Sequence, residues 1–276
     1  MPSTDRYAVF GHPISHSQSP RIHRLFAEQT GQQLIYSAVD VTPETFETSV
    51  NEFIQSGGRG LNCTVPLKEL AFRRAETLSI RGQRSKAVNT LALLPDGTLY
   101  GENTDGIGLT RDLTQNLGIE LNGQRILILG AGGATRGILE PLLQSKPRQL
   151  DIANRTPNKA IKLASEFADL GPITGGGFQT FAGESYDIIL NATAASLTGE
   201  LPDLPPGILA QDGTCYDLAY GQQPTAFVRW GQKQGARLSV DGIGMLVEQA
   251  AEAFLLWRGI RPETAPVLAA LNAARQ

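Results

Sequence analysis

Cysteine is almost absent from this chain of 276 residues, which has only Cys63 and Cys215. The two lie far apart in the sequence and neither belongs to a C-x-x-C pair, so their spacing indicates neither a zinc site nor a disulfide framework. We expect two reduced, mostly buried thiols. Histidine is also scarce. His12, His16 and His23 lack Cys, Asp or Glu at ligand spacing, and we therefore predict no metal site.

Charge and long apolar runs are scarce as well. Charged residues make up 18% of the chain, against about 25% in a typical soluble domain. The net charge of −3 gives no sign of a nucleic-acid or membrane-surface partner. No stretch of 18 apolar residues could span a bilayer, and the polar residues 1–5 lack the apolar core of a signal peptide. We expect a cytoplasmic protein.

Glycine is abundant, with 30 residues, and apolar segments alternate between strand-like and helix-like patterns. A chain of this length predicts two α/β domains. The strands of the N-terminal half are expected to be mostly parallel, apart from a hairpin over residues 88–100. A predicted helix over 104–117 leads into a second domain. We therefore expect one domain from residues 1–103 with 243–276, and another from 104–242.

The most informative segment is Gly130-Ala131-Gly132-Gly133-Ala134-Thr135. It follows an apolar run over residues 125–129 that predicts a buried strand, and apolar residues recur after it at helical spacing. A strand, a glycine turn and a helix place free backbone N–H groups and the positive end of the helix dipole where they favour a phosphate. Thr135 occupies the third glycine position of G-x-G-x-x-G, and Gly-Gly pairs also occur in ordinary turns. The motif alone therefore leaves a dinucleotide site and a simple turn open.

The next predicted strand, over residues 149–153, is followed by Asn154-Arg155-Thr156, with Lys159 just beyond. An NAD site usually has an acidic residue about 20 positions after the glycines, where it accepts the ribose 2′-OH. A guanidinium, an amide and a hydroxyl suit a 2′-phosphate instead. We therefore predict a Rossmann-type βαβ unit that binds NADP, although Arg155 taken alone is also compatible with a solvated surface arginine. The three glycines at 175–177 are predicted to form a loop.

Polar residues in the N-terminal half follow predicted strands or open predicted helices. They lie in residues 15–20, 62–69, 87–90 and 103–106. Ligands bind beyond the carboxyl ends of the strands in an open parallel sheet, so these side chains are expected to converge. Ser17 and Ser19 offer two hydroxyls at one helix N-terminus, which suits a carboxylate. Ser19, directly before Pro20, could equally be an N-cap.

Seven motifs together resemble the shikimate dehydrogenase family, in order and over nearly the whole chain. They are Ser17-x-Ser19-Pro20, Asn62-x-Thr64-Val65-Pro66-x-Lys68, Ala87-Val88-Asn89-Thr90, Asn103-Thr104-Asp105-Gly106, the glycine turn, Asn154-Arg155-Thr156 and Asp241-Gly242-x-Gly244-Met245-Leu246-Val247-x-Gln249-Ala250. The Ser-x-Ser and Lys/Asp segments are shared with quinate/shikimate dehydrogenases. The resemblance implies a reversible reduction of 3-dehydroshikimate to shikimate with NADPH, in chorismate and aromatic amino-acid biosynthesis.

The resemblance also implies an architecture and roles for individual residues. It implies two α/β domains with a cleft between them and hinges near residues 104 and 241, in a monomer or homodimer. Lys68 and Asp105 match the family's catalytic pair. The positions that match substrate-binding residues are Ser17, Ser19, Thr64, Lys68, Asn89, Asp105, Tyr220 and Gln249. The positions that match cofactor contacts are Gly130, Ala131, Gly132, Gly133, Ala134, Asn154, Arg155, Thr156, Lys159, Leu218 and Gly242.

Three parts of the sequence depart from the family's usual residues. Ser15 stands where Ala or Leu is frequent, and its role is open. Lys159 stands where Arg is frequent, and a lysine lacks the bidentate fork that grips a phosphate. Ala194-Ala195 stand where Ser or Pro is common, which implies that a hydroxyl contact near the cofactor is missing.

The chemistry of Lys68 and Asp105 also follows from their residue types. Hydride addition to a ketone builds negative charge on its oxygen, and a cation at hydrogen-bond distance stabilises that charge and can supply a proton. A lysine ammonium carries a transferable proton, whereas an arginine cannot be deprotonated in practice. A neighbouring carboxylate such as Asp105 would orient the lysine. On the residues alone, an ordinary surface ion pair is an equal alternative.

Two other functions are distinguishable by experiment. A quinate/shikimate dehydrogenase that accepts NAD often carries an acidic residue after the second nucleotide strand, where this chain has Asn154-Arg155-Thr156. A non-catalytic NADP-sensing module on the same fold would be expected to lose Lys68 or Asp105. Oxidation of NADPH with 3-dehydroshikimate separates a sensor from an enzyme, and quinate as a second substrate separates the two enzymes.

Overall fold

A computed structural model describes residues 4–193, 195 and 199–275 and divides the chain into two compact units. The first unit contains the chain up to Leu109 and resumes at Leu246–Ala274. The second unit is Thr110–Met245, together with Arg275. Both points of division fall within helices rather than in loops.

The two units contain strands and helices that alternate along the chain. In chain order the strands are β1 (Asp5–Gly11), β2 (Leu34–Asp40), β3 (Gly58–Cys63), β4 (Thr77–Leu78), β5 (Thr90–Leu93), β6 (Leu99–Glu102), β7 (Arg125–Leu129), β8 (Gln149–Ala153), β9 (Ile173–Gly176), β10 (Tyr186–Asn191), β11 (Leu209–Asp217) and β12 (Leu238–Asp241). The α-helices are α1 (Ser19–Thr30), α2 (Phe46–Gln55), α3 (Lys68–Arg74), α4 (Ile80–Ser85), α5 (Asp105–Arg111), α6 (Gly133–Gln144), α7 (Pro157–Phe167), α8 (Ala226–Lys233), α9 (Ile243–Arg258) and α10 (Ala265–Ala273). A π-helical turn, Asp112–Asn116, continues α5, and a 3₁₀ helix spans Phe178–Phe181.

The first unit is built on a six-stranded sheet with the order β2-β1-β3-β5-β6-β4. β1 pairs in parallel with β2 and β3, whereas β5 pairs antiparallel with β3 and β6. The predicted hairpin is therefore confirmed as β5 and β6. In this register Asn62 of β3 lies opposite Thr90 of β5. Two polar residues from separate motifs thus become neighbours in the middle of the sheet.

The second unit is built on six parallel strands in the order β12-β11-β10-β7-β8-β9. Counted from β7, this is the 3-2-1-4-5-6 order of dinucleotide-binding folds, and the Rossmann-type prediction is confirmed. The direction of the strand order reverses between β7 and β10. The glycine turn follows β7 at this point, where such sheets bind their ligands.

Each unit has its own apolar core. Phe10 of β1 is buried in the first core and Leu127 of β7 in the second. Cys63 and Cys215 are free thiols that belong to these two cores, as predicted. Burial raises the pKa of Cys215 to about 12 and raises the pKa of Cys63 as well, so both thiols keep their protons and pack as small apolar groups.

Two local predictions differ from the structure. Gly175 and Gly176, expected in a loop, belong to β9. A Cβ atom on Gly175 would lie 2.2 Å from the carbonyl oxygen of Ala160, so this glycine allows α7 to approach the strand closely. The helix predicted over 104–117 is α-helical only to Arg111 and then becomes a π-helical turn. Such turns are rare, and apolar periodicity does not distinguish them from an α-helix.

His23 lies on α1 and is fully buried in an aromatic cluster of the first unit. Its ring stacks on Tyr36 with 4.1 Å between centroids and 6° between planes, and it also contacts Phe26, Phe254 and Trp257. Neither ring nitrogen has a hydrogen-bond partner within the described part of the chain. Burial lowers the pKa of His23 to about 3, so the folded unit holds a neutral imidazole.

We expect His23 to make the stability of the protein depend on acid. Because its pKa is about 3 in the folded state and 6.5 as a model value, the unfolded chain binds one more proton between these two values. The free energy of unfolding therefore falls as the pH falls through this window, by at most about 1.4 kcal/mol per pH unit from this group. Urea unfolding of the wild type and of His23→Phe at several pH values from about 4 to 7 measures that slope. The variant should lack the contribution of His23 and show a smaller slope than the wild type. Identical slopes in the two proteins would contradict the assignment of a neutral, buried His23.

Candidate active site

The residues Lys68 and Asp105 form an ion pair at the start of two helices of the first unit. Lys68 is the first residue of α3, and Asp105 is the first residue of α5. The Lys68 Nζ atom lies 2.5 Å from Asp105 Oδ2, and the two side chains are only 15% and 7% exposed. The pair is therefore not the open surface contact that the residues alone left as an alternative, and salt screens such an enclosed pair much less.

The side chains of Asn89 and Asn103 hold Asp105 in place. Its Oδ1 atom accepts a hydrogen bond from Asn89 Nδ2 at 2.8 Å. Its backbone N–H donates to Asn103 Oδ1 at 3.0 Å. The first position of α5 also places the negative charge at the positive end of the helix dipole. These contacts hold the other carboxylate oxygen, Oδ2, towards Lys68.

Asn89 is buried, and its side-chain amide joins several of the candidate residues. Besides Asp105, its Nδ2 atom donates to Thr104 Oγ1 at 2.9 Å and to Gln249 Oε1 at 3.2 Å. The Gln249 amide in turn donates to the carbonyl oxygen of Leu246 at 2.9 Å, within α9. Asn89, Asp105 and Gln249 come from three distant parts of the sequence, and the structure brings them into direct contact.

Ser17 and Ser19 lie at the beginning of α1. Gln18 occupies the N-cap position and no side chain caps the helix, so Ser19 does not serve as the N-cap. The Ser17 hydroxyl accepts a hydrogen bond from the Ser19 N–H at 3.3 Å. Ser19 is buried, whereas Ser15 is exposed.

Thr64 follows β3, where its backbone N–H donates to the carbonyl oxygen of Phe10 at 2.9 Å. A Cβ atom on Gly11 would lie 2.4 Å from the Thr64 methyl carbon, so the glycine that ends β1 leaves room for the threonine.

Seven of the eight predicted substrate-binding residues belong to the first unit. The eighth, Tyr220, belongs to the second unit and follows β11.

The sequence patterns assigned no role to several polar residues beside this site. Tyr36 on β2 donates from its hydroxyl to Asn62 Oδ1 at 2.6 Å. Asn62 reaches Thr90 Oγ1 at 2.9 Å. Asn62 and Thr90 lie inside motifs that were singled out, and only the strand register shows that they are opposite each other. Tyr36 carries no sequence signal, because an aromatic residue on a strand usually indicates packing.

The glycine turn of the second unit is shaped to leave backbone groups accessible. Gly130 has φ of +104°, a conformation that other residues rarely adopt. Gly132 is the N-cap residue of α6, and a Cβ atom on Gly132 or Gly133 would meet no heavy atom of the described chain within 4 Å. No described side chain caps α6. Its first N–H groups therefore face open space and suit a phosphate.

Thr135, at the third position of the glycine motif, is fully buried. Its hydroxyl donates to the carbonyl oxygen of Gly130 at 2.8 Å and so ties the helix to the start of the turn. A glycine at this position serves close packing of helix on strand. The threonine replaces that packing with a hydrogen bond, so this departure from the usual motif preserves the turn.

The residues that follow β8 carry positive charge and no acid. Asn154 Nδ2 donates to the carbonyl oxygen of Thr156 at 2.9 Å and so holds the turn before α7. Arg155 and Lys159 are exposed. Within the described residues, neither of their side chains has a hydrogen bond or an ion pair. Two unpaired cations beside an amide suit a phosphate better than a ribose hydroxyl.

The remaining cofactor candidates lie near the glycine turn or follow strands of the same sheet. Ala131 and Ala134 flank the two central glycines, and Leu218 follows β11. A Cβ atom on Gly242 would lie 2.3 Å from the carbonyl oxygen of Leu218, so only glycine allows this approach after β12. Ala194 lies outside the described residues.

The described residues contain no group of three or more His, Cys, Asp or Glu side chains that could hold a metal ion. His12 lies beside Asp40, whereas His23 is enclosed by aromatic rings. Within the described part of the chain, no helix is both long enough and apolar enough to cross a bilayer.

Three family models match successive parts of the sequence. The shikimate dehydrogenase substrate binding domain matches residues 9–91. The shikimate / quinate 5-dehydrogenase model matches residues 112–198, and the shikimate 5'-dehydrogenase C-terminal domain matches residues 242–271. The first match falls within the first unit and the second match within the second unit.

Individual proteins match over nearly the full length. A shikimate dehydrogenase (NADP(+)) from Methylococcus capsulatus is 64% identical and covers 100% of this chain and 99% of its own. The structure of an Ael1 enzyme from Pseudomonas putida is 48% identical, with a TM-score of 0.87 and coverage of 97% and 98%. The structure of shikimate 5-dehydrogenase from Thermus thermophilus, in complex with NADP(H) and shikimate, is 33% identical, with a TM-score of 0.86 and coverage of 98% and 99%. With this degree of identity over the whole chain, the protein belongs to the shikimate dehydrogenase family.

Proposed function

We propose that the protein catalyses the reversible, NADPH-dependent reduction of 3-dehydroshikimate to shikimate, a step of chorismate and aromatic amino-acid biosynthesis. The observation that carries the proposal is the enclosed Lys68–Asp105 pair in a chain of this family. A buried ion pair that served only to hold the fold would add little stability, because its desolvation largely cancels the attraction between the charges. A pair that keeps partial access to solvent suits a catalytic role better.

Lys68 acts on the oxygen of the substrate carbonyl. NADPH, when bound, supplies the hydride that reduces the carbonyl carbon. The Lys68 ammonium stabilises the negative charge that develops on the oxygen and donates its proton there. Asp105 keeps the ammonium in place and favours its charged form. In the reverse direction, Lys68 accepts the proton from the hydroxyl.

The substrate-binding residues provide hydroxyls and amides for a polar, ring-shaped acid. Ser17 and Ser19, at the start of α1, would bind the carboxylate. The side chains assigned to the ring hydroxyls and the keto group are Thr64, Lys68, Asn89, Asp105, Gln249 and Tyr220. Support for this assignment comes from the contacts of Asn89 with Asp105 and Gln249, which gather donors and acceptors beside the ion pair.

The second unit would hold NADP. Its pyrophosphate fits the uncapped start of α6, where the glycine turn leaves space for it. Arg155 and Lys159 would bind the 2′-phosphate, with Asn154 and Thr156 beside them. No acidic residue stands in Asn154-Arg155-Thr156 to accept a ribose hydroxyl, which favours NADP over NAD.

A substrate and cofactor panel on the purified protein tests the proposal. We expect oxidation of NADPH with 3-dehydroshikimate, and the highest reverse activity with shikimate and NADP⁺. Comparable turnover of quinate with NAD⁺ would instead identify a quinate/shikimate dehydrogenase. Binding of NADPH without any turnover would identify a sensor and would exclude the proposed reaction.

We also propose that the protein works in the cytoplasm as a monomer or homodimer. A single chain supplies every residue assigned above, so the proposed reaction needs no residue from a second copy. The partners are the small-molecule substrate and NADP, and the net charge of −3 gives no reason to expect a nucleic acid.

A further inference from the structure

The hydrogen bonds behind the Lys68–Asp105 pair form one directed chain, which begins at Tyr36. The Tyr36 hydroxyl donates its proton to Asn62 Oδ1 at 2.6 Å. Burial raises the pKa of Tyr36 well above its usual value, so the phenol keeps the proton that it donates.

The contact with Tyr36 fixes which way the Asn62 amide faces. Its oxygen accepts from Tyr36, so its nitrogen donates to Thr90 Oγ1 at 2.9 Å and to the carbonyl oxygen of Asn89 at 3.1 Å. Thr90 accepts from Asn62, and its single proton goes to Asn89 Oδ1 at 2.9 Å. Each member of the chain thereby determines the direction of the next.

The orientation of the Asn89 amide determines how it binds Asp105. Its Oδ1 atom accepts from Thr90 and also from the backbone N–H of Thr104 at 2.9 Å. Its Nδ2 atom is then turned towards Asp105 Oδ1, at 2.8 Å. The other carboxylate oxygen faces Lys68 at 2.5 Å. The chain therefore runs without a gap from Tyr36 to the ion pair.

The members of the chain cannot turn to water if one contact is lost. Asn62, Asn89 and Thr90 are 6%, 3% and 0% exposed. A buried polar group that loses its partner stays unsatisfied and shifts its neighbours. The Tyr36 ring is held as well, because it stacks on the buried His23.

We propose that Thr90 and Tyr36 are positioning residues for the reduction, which hold Asp105, and through it Lys68, in the orientation for proton transfer. This inference rests on the proposed function. Thr90 is fully buried and acts through Asn89, and Tyr36 acts through Asn62 and Thr90.

The variants Thr90→Val and Thr90→Ser separate positioning from packing. Valine keeps the shape of threonine and removes the hydroxyl, whereas serine keeps the hydroxyl and removes a methyl group. We expect Thr90→Val to lower kcat roughly tenfold or more with a smaller change in KM, because small misplacement of a catalytic group is costly. Thr90→Ser should recover kcat to within about threefold of the wild type. Tyr36→Phe, which keeps the stack on His23, should lower kcat as well.

Steady-state kinetics with 3-dehydroshikimate and thermal unfolding of every variant decide the matter. Thr48→Val, an exposed threonine on α2, is the matched control and should behave as the wild type. If Thr90→Val and Tyr36→Phe unfold at lower temperature but keep the wild-type kcat, the residues are only structural and the inference is overturned. It is equally overturned if Thr90→Ser is as slow as Thr90→Val. If Thr90→Val does not fold, the kcat of Tyr36→Phe decides whether the two residues position the ion pair.

A wild-type protein without activity would overturn the proposed function itself.

Discussion

Replacement of Lys68 by alanine is expected to lower kcat by about 10²–10⁴-fold, which is the usual worth of a general acid that acts in the transition state. The binding of NADPH should change little, because Lys68 belongs to the first unit and the glycine turn to the second. The loss should appear in kcat and in kcat/KM alike, since the interaction with the developing oxyanion is made only in the transition state.

Two further variants sharpen this experiment. Lys68→Arg keeps a positive charge beside Asp105 but has no proton to transfer, so it should remain close to the alanine variant. Arg73→Ala removes an exposed cation from the same helix and should retain full activity. Turnover and NADPH titration by fluorescence measure the two effects separately. Turnover of Lys68→Ala within a few-fold of the wild type would show that another group supplies the proton.

Replacement of Arg155 by alanine is expected to raise the KM for NADPH by about tenfold to a hundredfold, because a charge-assisted hydrogen bond contributes about 1.5–3 kcal/mol. The KM for NADH should change by less than about twofold, since NADH lacks the 2′-phosphate. Arg155 is exposed and its side chain has no partner in the described part of the chain, so its removal should not disturb the fold.

The neighbouring cations provide the controls for Arg155. Lys159→Ala should show the same preference with a smaller loss, because an ammonium is a point charge without a bidentate fork. Lys162→Ala, an exposed cation further along α7, should bind both cofactors normally. Initial rates over a range of NADPH and NADH concentrations give the KM of each variant for the two cofactors. Equal losses for the two cofactors in Arg155→Ala would argue against a phosphate contact.

Local patterns were sufficient to predict much of the second unit. Each strand of a parallel sheet is a short apolar run, and the glycine turn after β7 is continuous in the sequence. The absence of an acid in Asn154-Arg155-Thr156 is likewise local. The part that failed, Gly175 in β9, depends on how closely α7 approaches the strand, which no local pattern records.

In the first unit, local sequence patterns predicted less of the structure. The sequence predicted that the segments containing Lys68 and Asp105 would converge beyond the carboxyl ends of the strands, and the family resemblance paired the two residues. The contacts that orient them were not predictable. Asn62 meets Thr90 only through the register of β3 and β5, and Tyr36 reaches Asn62 from a third strand. Side-chain hydrogen bonds between distant segments leave no periodic signal in a sequence.

The first unit combines strands β1–β6 with helices α9 and α10, which come much later in the chain. Trp257 of α9 donates to the carbonyl oxygen of Leu91 at 3.0 Å, and Arg258 pairs with Asp5 of β1. A ribosome synthesises Trp257 and Arg258 after every strand of the second sheet. A nascent chain therefore completes the strands of its second sheet first, and the earlier-made β1–β6 sheet is left without its closing helix until α9 has been synthesised.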